Sequence, residues 1–175
     1  MGNTVCWADL HLDHLKAAKA RGFDTLKEYQ EKVQDAWNDI VTPRTTVILV
    51  GDSALYYDGL AMIKKLPGKK VLILGNHDIE RDNDIRDVLE VYDRVEGLWK
   101  HRKGLWFGHA PLHPSQLRGR RQVHGHTHET IIQDERYINV CWDHLKEGPV
   151  DLEKILTGEY RTYRKPELVR EQVNG

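Results

Sequence analysis

An α/β fold built around a parallel sheet is what this sequence predicts, on three observations. Short runs rich in valine, isoleucine or leucine, of the kind buried strands use, recur through the first half. Stretches with apolar residues at helical spacing separate them. A side chain able to bind a metal ion follows each run at once.

The runs are "TVCWA" (4–8), "TVILV" (46–50), "KVLIL" (70–74) and "GLWF" (104–107). Between the first two, Leu26, Tyr29, Val33, Trp37 and Ile40 recur as one face of a helix, with Asp24 or Thr25 as its N-cap. "GLAMIKKL" (59–66) predicts a second helix, ended by Pro67-Gly68, and a third covers roughly 82–91. This β-α-β-α-β order argues for parallel strands joined by right-handed crossovers. After residue 94 the pattern changes. "RVEGLWKH" and "GLWFGH" flank a hairpin turn at Arg102-Lys103-Gly104, "RQVHG" and "RYINVCW" follow as strands, and "DLEKIL" (151–156) forms a last helix. Beyond Gly158 the chain is charged and is expected to fray or pack loosely. No repeat or low-complexity segment divides the sequence, so residues 1–175 are expected to form one domain.

The totals exclude several classes. Lys plus Arg number 26 and Asp plus Glu 27, a net charge of -1, which is not the footprint of a protein with an extended nucleic-acid surface. No apolar run reaches membrane-spanning length, and the N-terminus lacks a charged-then-apolar signal. Cys6 and Cys141 lie in apolar runs without a C-x-x-C pair, as buried free thiols of a reducing compartment do; a cytoplasmic protein is expected.

The ligand-type groups are Asp9 and His11, Asp52, Asn76-His77-Asp78, His109, and His126 with His128. Any one of them has an ordinary explanation as a cap, a turn former or a surface group. Even "VHGHTHE" (123–129), with histidines at 124, 126 and 128, reads equally as one polar face of a strand. Five strand ends that all deliver such groups are harder to assign to chance, because open α/β sheets gather their sites at the carboxyl ends of strands. Glycine precedes the group at 52, 76, 109 and 126, which permits sharp turns and close approach. Two aspartates, one asparagine oxygen and four histidines suffice for two divalent ions sharing one carboxylate. Oxygen and imidazole donors suit manganese, iron, zinc, nickel or cobalt rather than an iron–sulfur cluster. Two carboxylates against two divalent ions leave a net positive centre, suited to a phosphate ester.

"DLH" (9–11), "GD" (51–52), "GNHD" (75–78), "GH" (108–109) and "GHTH" (125–128), in that order, resemble the calcineurin-like metallophosphoesterase family over about residues 5 to 156. "DLHLDH", "WNDIV" and "INVCWDHLKEGPVDLEKI" are similar to its compact bacterial and phage members. The resemblance implies two packed mixed sheets flanked by helices, a four-layer α/β/β/α sandwich. It implies that Asp9, His11 and His128 hold a first metal, Asn76, His109 and His126 a second, and that Asp52 bridges them. Manganese is the leading ion, and a hydroxide held between the two ions would be the nucleophile. His77 would be general acid or charge stabiliser at the leaving-group oxygen, with Asp78 orienting it.

The chain departs from compact relatives at Asp13, where they commonly carry glycine; the extra carboxylate is expected near the first metal. His14 is a possible substrate contact or a solvent-facing helix start, and His124 a support or packing residue ahead of a direct contact with the site. Arg118, Arg120 and Arg121, shortly before the last motif, are either a solvated loop or contacts for a substrate phosphate or nucleotide. His101, His113 and His144 match no motif. The five tryptophans read as core, with Trp7 and Trp142 near enough to strand ends to stack on a base. The short chain suggests an open site for small phosphodiesters, with cyclic nucleotides (2′,3′-cyclic ones included) ahead of phosphomonoesters and of nucleic acids. A non-catalytic scaffold of the same fold is the alternative of a different class.

Overall fold

The structure, a computed structural model, describes residues 2–166. Its elements in chain order are β1 (Thr4–Trp7), α1 (Leu15–Ala20), α2 (Leu26–Ile40), β2 (Thr46–Leu49), α3 (Tyr57–Lys65), β3 (Lys69–Ile73), α4 (Ile85–Val91), β4 (Arg94–Glu96), β5 (Leu98–His101), β6 (Leu105–Gly108), a 3₁₀ turn (Pro114–Gln116), β7 (Arg121–His124), β8 (Tyr137–Asn139), β9 (Val150–Asp151) and α5 (Leu152–Thr157).

Among the described residues nine strands form two mixed sheets. The first has the order β4-β3-β2-β1-β9, with only β9 antiparallel to its neighbour; the second is β5-β6-β7-β8, with β5 antiparallel and the rest parallel. Period-two alternation decides the layers. Val5, Trp7, Val47, Leu49 and Leu72 pack against Tyr29, Val33, Trp37, Leu60, Ile63 and Val88 of the helices. Their neighbours Cys6, Ala8, Ile48, Val50, Val71 and Ile73 meet Leu105, Phe107, Val123 and Ile138 of the second sheet. Both faces of the first sheet are therefore buried, which is why its strands read as unbroken apolar runs. On the outer face of the second sheet, Trp106, Gln122 and Tyr137 bond to the segment 110–117, through Leu117 O, Ala110 O and Leu112 O respectively. That segment and its 3₁₀ turn form a thin fourth layer. α5 bonds to the start of β7, where Arg121 donates to Ile155 O and Leu156 O.

Local chemistry explains the helix starts. Thr25 accepts from Glu28 N while Glu28 returns a bond to Thr25 N, a capping box that settles the choice of N-cap. The predicted strand over 94–101 is divided: Arg94–Glu96 pairs with β3, and beyond Gly97 the chain crosses to the other sheet as β5. Residues following Gly158 do not fray at first. Tyr160 donates to Asn139 O and Thr162 accepts from Asn139 N, so they hold to β8; the tail from 167 lies outside the described residues. No helix among the described residues is long and apolar enough to cross a membrane.

Candidate metal centre

All the strand-end groups converge where the two sheets meet, at the carboxyl ends of β1, β2, β3, β6 and β7. Ladder-like bonds continue past the strands to hold the loops together: Asp9 N–H donates to Gly51 O, His11 N–H to Asp52 O, Gly125 N–H to His109 O and Trp142 N–H to Ala8 O. Glycines before the ligands allow the loops to touch. A Cβ on Gly75 would lie 2.1 Å from Asp52 Oδ1, and one on Gly125 2.3 Å from Asp9 Oδ2. Six residues other than glycine have a left-handed backbone among the described residues, and five are Asp9, His11, Asp52, His126 and His128. Such strain, about 1–3 kcal/mol a residue, concentrates where side-chain aim matters more than local comfort.

Two triads result. Asp9, His11 and His128 bring one ligand atom each within 4.8 Å of one another, and Asp52, His109 and His126 do the same. In the first, His11 Nε2 is 3.8 Å and His128 Nε2 3.7 Å from Asp9 Oδ1, with the rings of His11 and His128 stacked at 5.3 Å. In the second, His109 Nε2 is 3.2 Å from Asp52 Oδ2, and Asn76 Oδ1 is 3.2 Å from His109 Nε2 and 3.1 Å from His126 Nδ1. Asp52 Oδ2 also lies 3.9 Å from His11 Nε2, between the two groups.

These donors fit divalent ions on the protein's own terms. Asp9 Oδ1 and both ring nitrogens of His11 are buried without a hydrogen-bond partner, a costly state unless something else binds them. The electrostatics also favour cations. Burial lowers the pKa of His109, but the hydrogen bond to Asp52 and the charges of Asp9 and Asp52 outweigh it and lift the group to about 9. His109 Nδ1 faces Val50 O at 2.9 Å, leaving Nε2 for the cluster.

Around the triads, several expectations are revised. His77 is at the rim, its ring 5.7 Å from that of His11 and its N–H donating to Asp52 Oδ1. Asp78 does not orient it. The Asp78 carboxylate is fully buried and accepts from Asp52 N, Ser53 N, Ser53 Oγ and Gly75 N, tying the β2 loop to the β3 loop. The partner of His77 Nδ1 is Glu80, three residues on. Asp13 takes the N–H groups of Leu55, Tyr56 and Gly59, so this carboxylate caps the entry to α3 instead of facing an ion. His14 begins α1 half-buried, with its ring 6.1 Å from that of His11; burial and the nearby His11 and His77 lower its pKa.

Arg120 and Arg121 are engaged away from the triads, and Arg118 lies before them with a left-handed backbone. Arg121 is the first residue of β7, whose far end leads to His126, so at 3.3 Å per residue the strand sets its backbone roughly 10 Å from the carboxyl end. Arg121 instead caps α5, and Arg120 neighbours the turn at Gly104. His124 is buried, its Nδ1 facing Gly125 O, and burial brings its pKa down to about 4. β7 ends at His124, so the three histidines do not share a strand face. Trp7 and Trp142 are buried and present no stacking surface. Sequence reasoning missed Glu80, Ser53, Arg21 and Asp143; only Glu80, at helical spacing from His77, left a local signal.

No family model matches the chain. It is 28% identical over 166 residues to the Gene 66 protein of Mycobacterium phage L5, covering 75% of this chain and 80% of the relative. The crystal structure of the protein of unknown function AQ665 from Aquifex aeolicus superposes with a TM-score of 0.70 at 19% identity, covering 89% of this chain and 98% of that one. That likeness shows a shared fold. The crystal structure of Pseudomonas putida nuclease MPE aligns at a TM-score of 0.41 and 21% identity over 71% of this chain and 60% of the nuclease. Fold and site together define a two-sheet α/β protein carrying two adjacent candidate metal-binding triads.

Proposed function

We propose that the protein is a metal-dependent phosphoesterase acting on small phosphodiesters, with cyclic nucleotides, including 2′,3′-cyclic ones, as the leading substrate class. One observation carries this reading: two oxygen–imidazole triads with a carboxylate, Asp52, between them and unpartnered ligand atoms buried at their centre. Asp9, His11 and His128 would hold one ion, Asn76, His109 and His126 the other, and Asp52 would serve both. Manganese is the leading ion, with iron, zinc, nickel and cobalt as alternatives of suitable donor preference. Divalent ions bound there supply Lewis acidity and an acidified water at neutral pH.

The remaining work falls to the chain. His77, half-buried at the rim, would give a proton or positive charge to the departing oxygen, with Glu80 on its Nδ1 leaving Nε2 as the outward donor. The His77 N–H bond to Asp52 fixes this loop to the cluster. His14, whose ring is 6.1 Å from that of His11, would touch substrate. The site lies open, with a groove of about 380 Å³ beside His128 lined by Ala17, Ala20, Arg21, Thr127, Glu129 and Asp143. An open rim suits a small ester better than an enclosed ligand.

The test is hydrolysis of bis-p-nitrophenyl phosphate and p-nitrophenyl phosphate by metal-stripped protein with manganese restored. Manganese-dependent cleavage favouring the diester is expected. Preference for the monoester would overturn the substrate class, and no cleavage of either with manganese bound would overturn the enzyme reading.

A further inference from the structure

A buried ion pair outside both triads reaches back to the first. Arg21, at the end of α1, and Asp143, after β8, have side chains only 5% and 8% exposed. Arg21 Nε donates to Asp143 Oδ1 at 3.1 Å and Nη2 to Oδ2 at 3.0 Å, a two-pronged contact. The same guanidinium donates to Asp9 O at 2.7 Å, Leu10 O at 3.2 Å and Tyr29 Oη at 2.5 Å, and lies 4.8 Å over the Trp142 ring. Every arm of the fork is used, which lysine would not reproduce. The remaining capacity of Asp143 goes to His128: Oδ2 faces Nδ1 at 3.0 Å, while His128 Nε2 points to Asp9 Oδ1 at 3.7 Å.

The path is closed: Asp9 carbonyl, Arg21, Asp143, His128, Asp9 carboxylate. It spans two residues with a left-handed backbone, Asp9 at φ 56° and His128 at φ 48°. The His128 side chain is 44% exposed, so burial alone does not hold its ring. A purely structural ion pair would have no need of this third contact. At the second triad the matching task falls to a neutral backbone carbonyl, Val50 O on His109.

We infer that Arg21 and Asp143 are positioning residues for the first metal site, fixing the His128 proton on Nδ1 and its lone pair on Nε2 toward Asp9. Arg21 also neutralises Asp143, so that carboxylate orients the imidazole without competing for the ion. The inference rests on the metal reading above, and the experiment separates the two.

Manganese binding to metal-stripped protein is measured by calorimetry for the wild type, Asp143→Asn, His128→Gln and the double variant. The wild type is expected to bind two ions. Asp143→Asn should weaken one of them by roughly 10–100-fold, the usual cost of losing a carboxylate behind a metal-bound histidine, and leave the other unchanged. His128→Gln should weaken the same ion, and the double variant should bind no worse than His128→Gln. Equal binding by wild type and Asp143→Asn, or independent losses in the double variant, would overturn the inference while leaving the metal reading intact. No binding by the wild type would overturn the metal reading itself. Should Asp143→Asn fail to fold, zinc-loaded wild type with ¹⁵N-histidine supplies the answer. A downfield, exchange-protected Nδ1–H that vanishes in His128→Gln is expected, and an Nε2–H on that ring would refute the positioning role.

Discussion

Replacing Gly75 by alanine is expected to damage the metal centre, while alanine at Gly97 leaves it untouched. Neither glycine has a left-handed backbone, so both can accept alanine. Reduced freedom of the unfolded chain alone would then stabilise by about 0.4–1 kcal/mol. At Gly97 nothing lies within 4 Å of the new Cβ, and that small gain should be seen. At Gly75 the Cβ lands 2.1 Å from Asp52 Oδ1 and 2.5 Å from Asp52 N, where ordinary contact begins at 3.4 Å. The backbone nitrogen cannot swing aside as a side chain could, and it already donates to Asp78. Asp52 must therefore move by about 1 Å, a displacement that can cost on the order of 100-fold in rate at a catalytic centre. Overpacking of this kind costs about 1–3 kcal/mol, which exceeds the entropic gain. A net loss of about 1–2 kcal/mol follows, or roughly 2–8 °C in Tm for a chain of this size. Melting curves of both metal-stripped variants and their manganese stoichiometry provide the check. A Gly75→Ala protein that melts no lower than Gly97→Ala and binds wild-type manganese would refute the reasoning.

Other outcomes separate structure from chemistry. Asp78→Ala should lower stability in urea by at least the roughly 1.5–3 kcal/mol of one hydrogen bond to a charged group, since four donors lose their acceptor. Glu80→Gln should melt like the wild type yet hydrolyse esters of poor leaving groups more slowly; equal rates on all leaving groups would remove Glu80 from the mechanism. Arg121→Ala should lower Tm by uncapping α5 and leave kcat/KM unchanged, and a rise in KM would return this arginine to the substrate site. Manganese at 100 times its Kd should stabilise by about 2.7 kcal/mol per site, so a Tm indifferent to chelation would count against both triads. Hydrogen bonds from the side chain and N–H of Arg86 hold Asp84 at a pKa of about 2, below its ordinary 3.8. A depressed carboxylate stabilises fully above the ordinary value, so its cap on α4 should persist at pH 4 and fade as pH falls through about 2. An NMR titration of Asp84 with a midpoint near 4 would contradict this.

The strand ends and their ligands were legible because two local signals coincide at each: an apolar run and, after it, a residue type with few other reasons to be there. Asp9, Asp52, Asn76 and His109 each needed only a position along the chain. Two inferences from nearness in sequence to nearness in space failed, those for Arg121 and for Asp78. Arg121 is five residues from His126, but an extended strand turns five residues into most of the depth of the sheet. Asp78 is bonded to His77 through the backbone, yet the two side chains part, one to the rim and one to the interior. The reverse error hid Arg21 and Asp143, which are 122 residues apart and belong to no pattern that spacing can reveal. α1 showed only as the helix-start reading of His14, because "LKAAKA" is too short and too poor in large apolar residues to show a helical face.

The backbone strain and the buried network are two sides of one arrangement. Residues two apart in an extended strand face the same way, about 6.6 Å apart along its axis; Asp9 and His11, like His126 and His128, leave that conformation instead. A left-handed turn at each of these residues re-aims its side chain away from the strand direction, and Asp and His tolerate that region better than most residues. Side chains add to the ladder-like bonds that continue into the loops: Asp9 Oδ2 accepts from His126 N and from the Cys141 thiol, Asp52 Oδ1 from His77 N, and Arg21 donates to the carbonyls of Asp9 and Leu10. The bonds to the two carboxylates use one oxygen of each, Oδ2 of Asp9 and Oδ1 of Asp52. Asp9 Oδ1 is thereby left for the centre, so the contacts that hold the strained loops also determine which ligand atoms remain free.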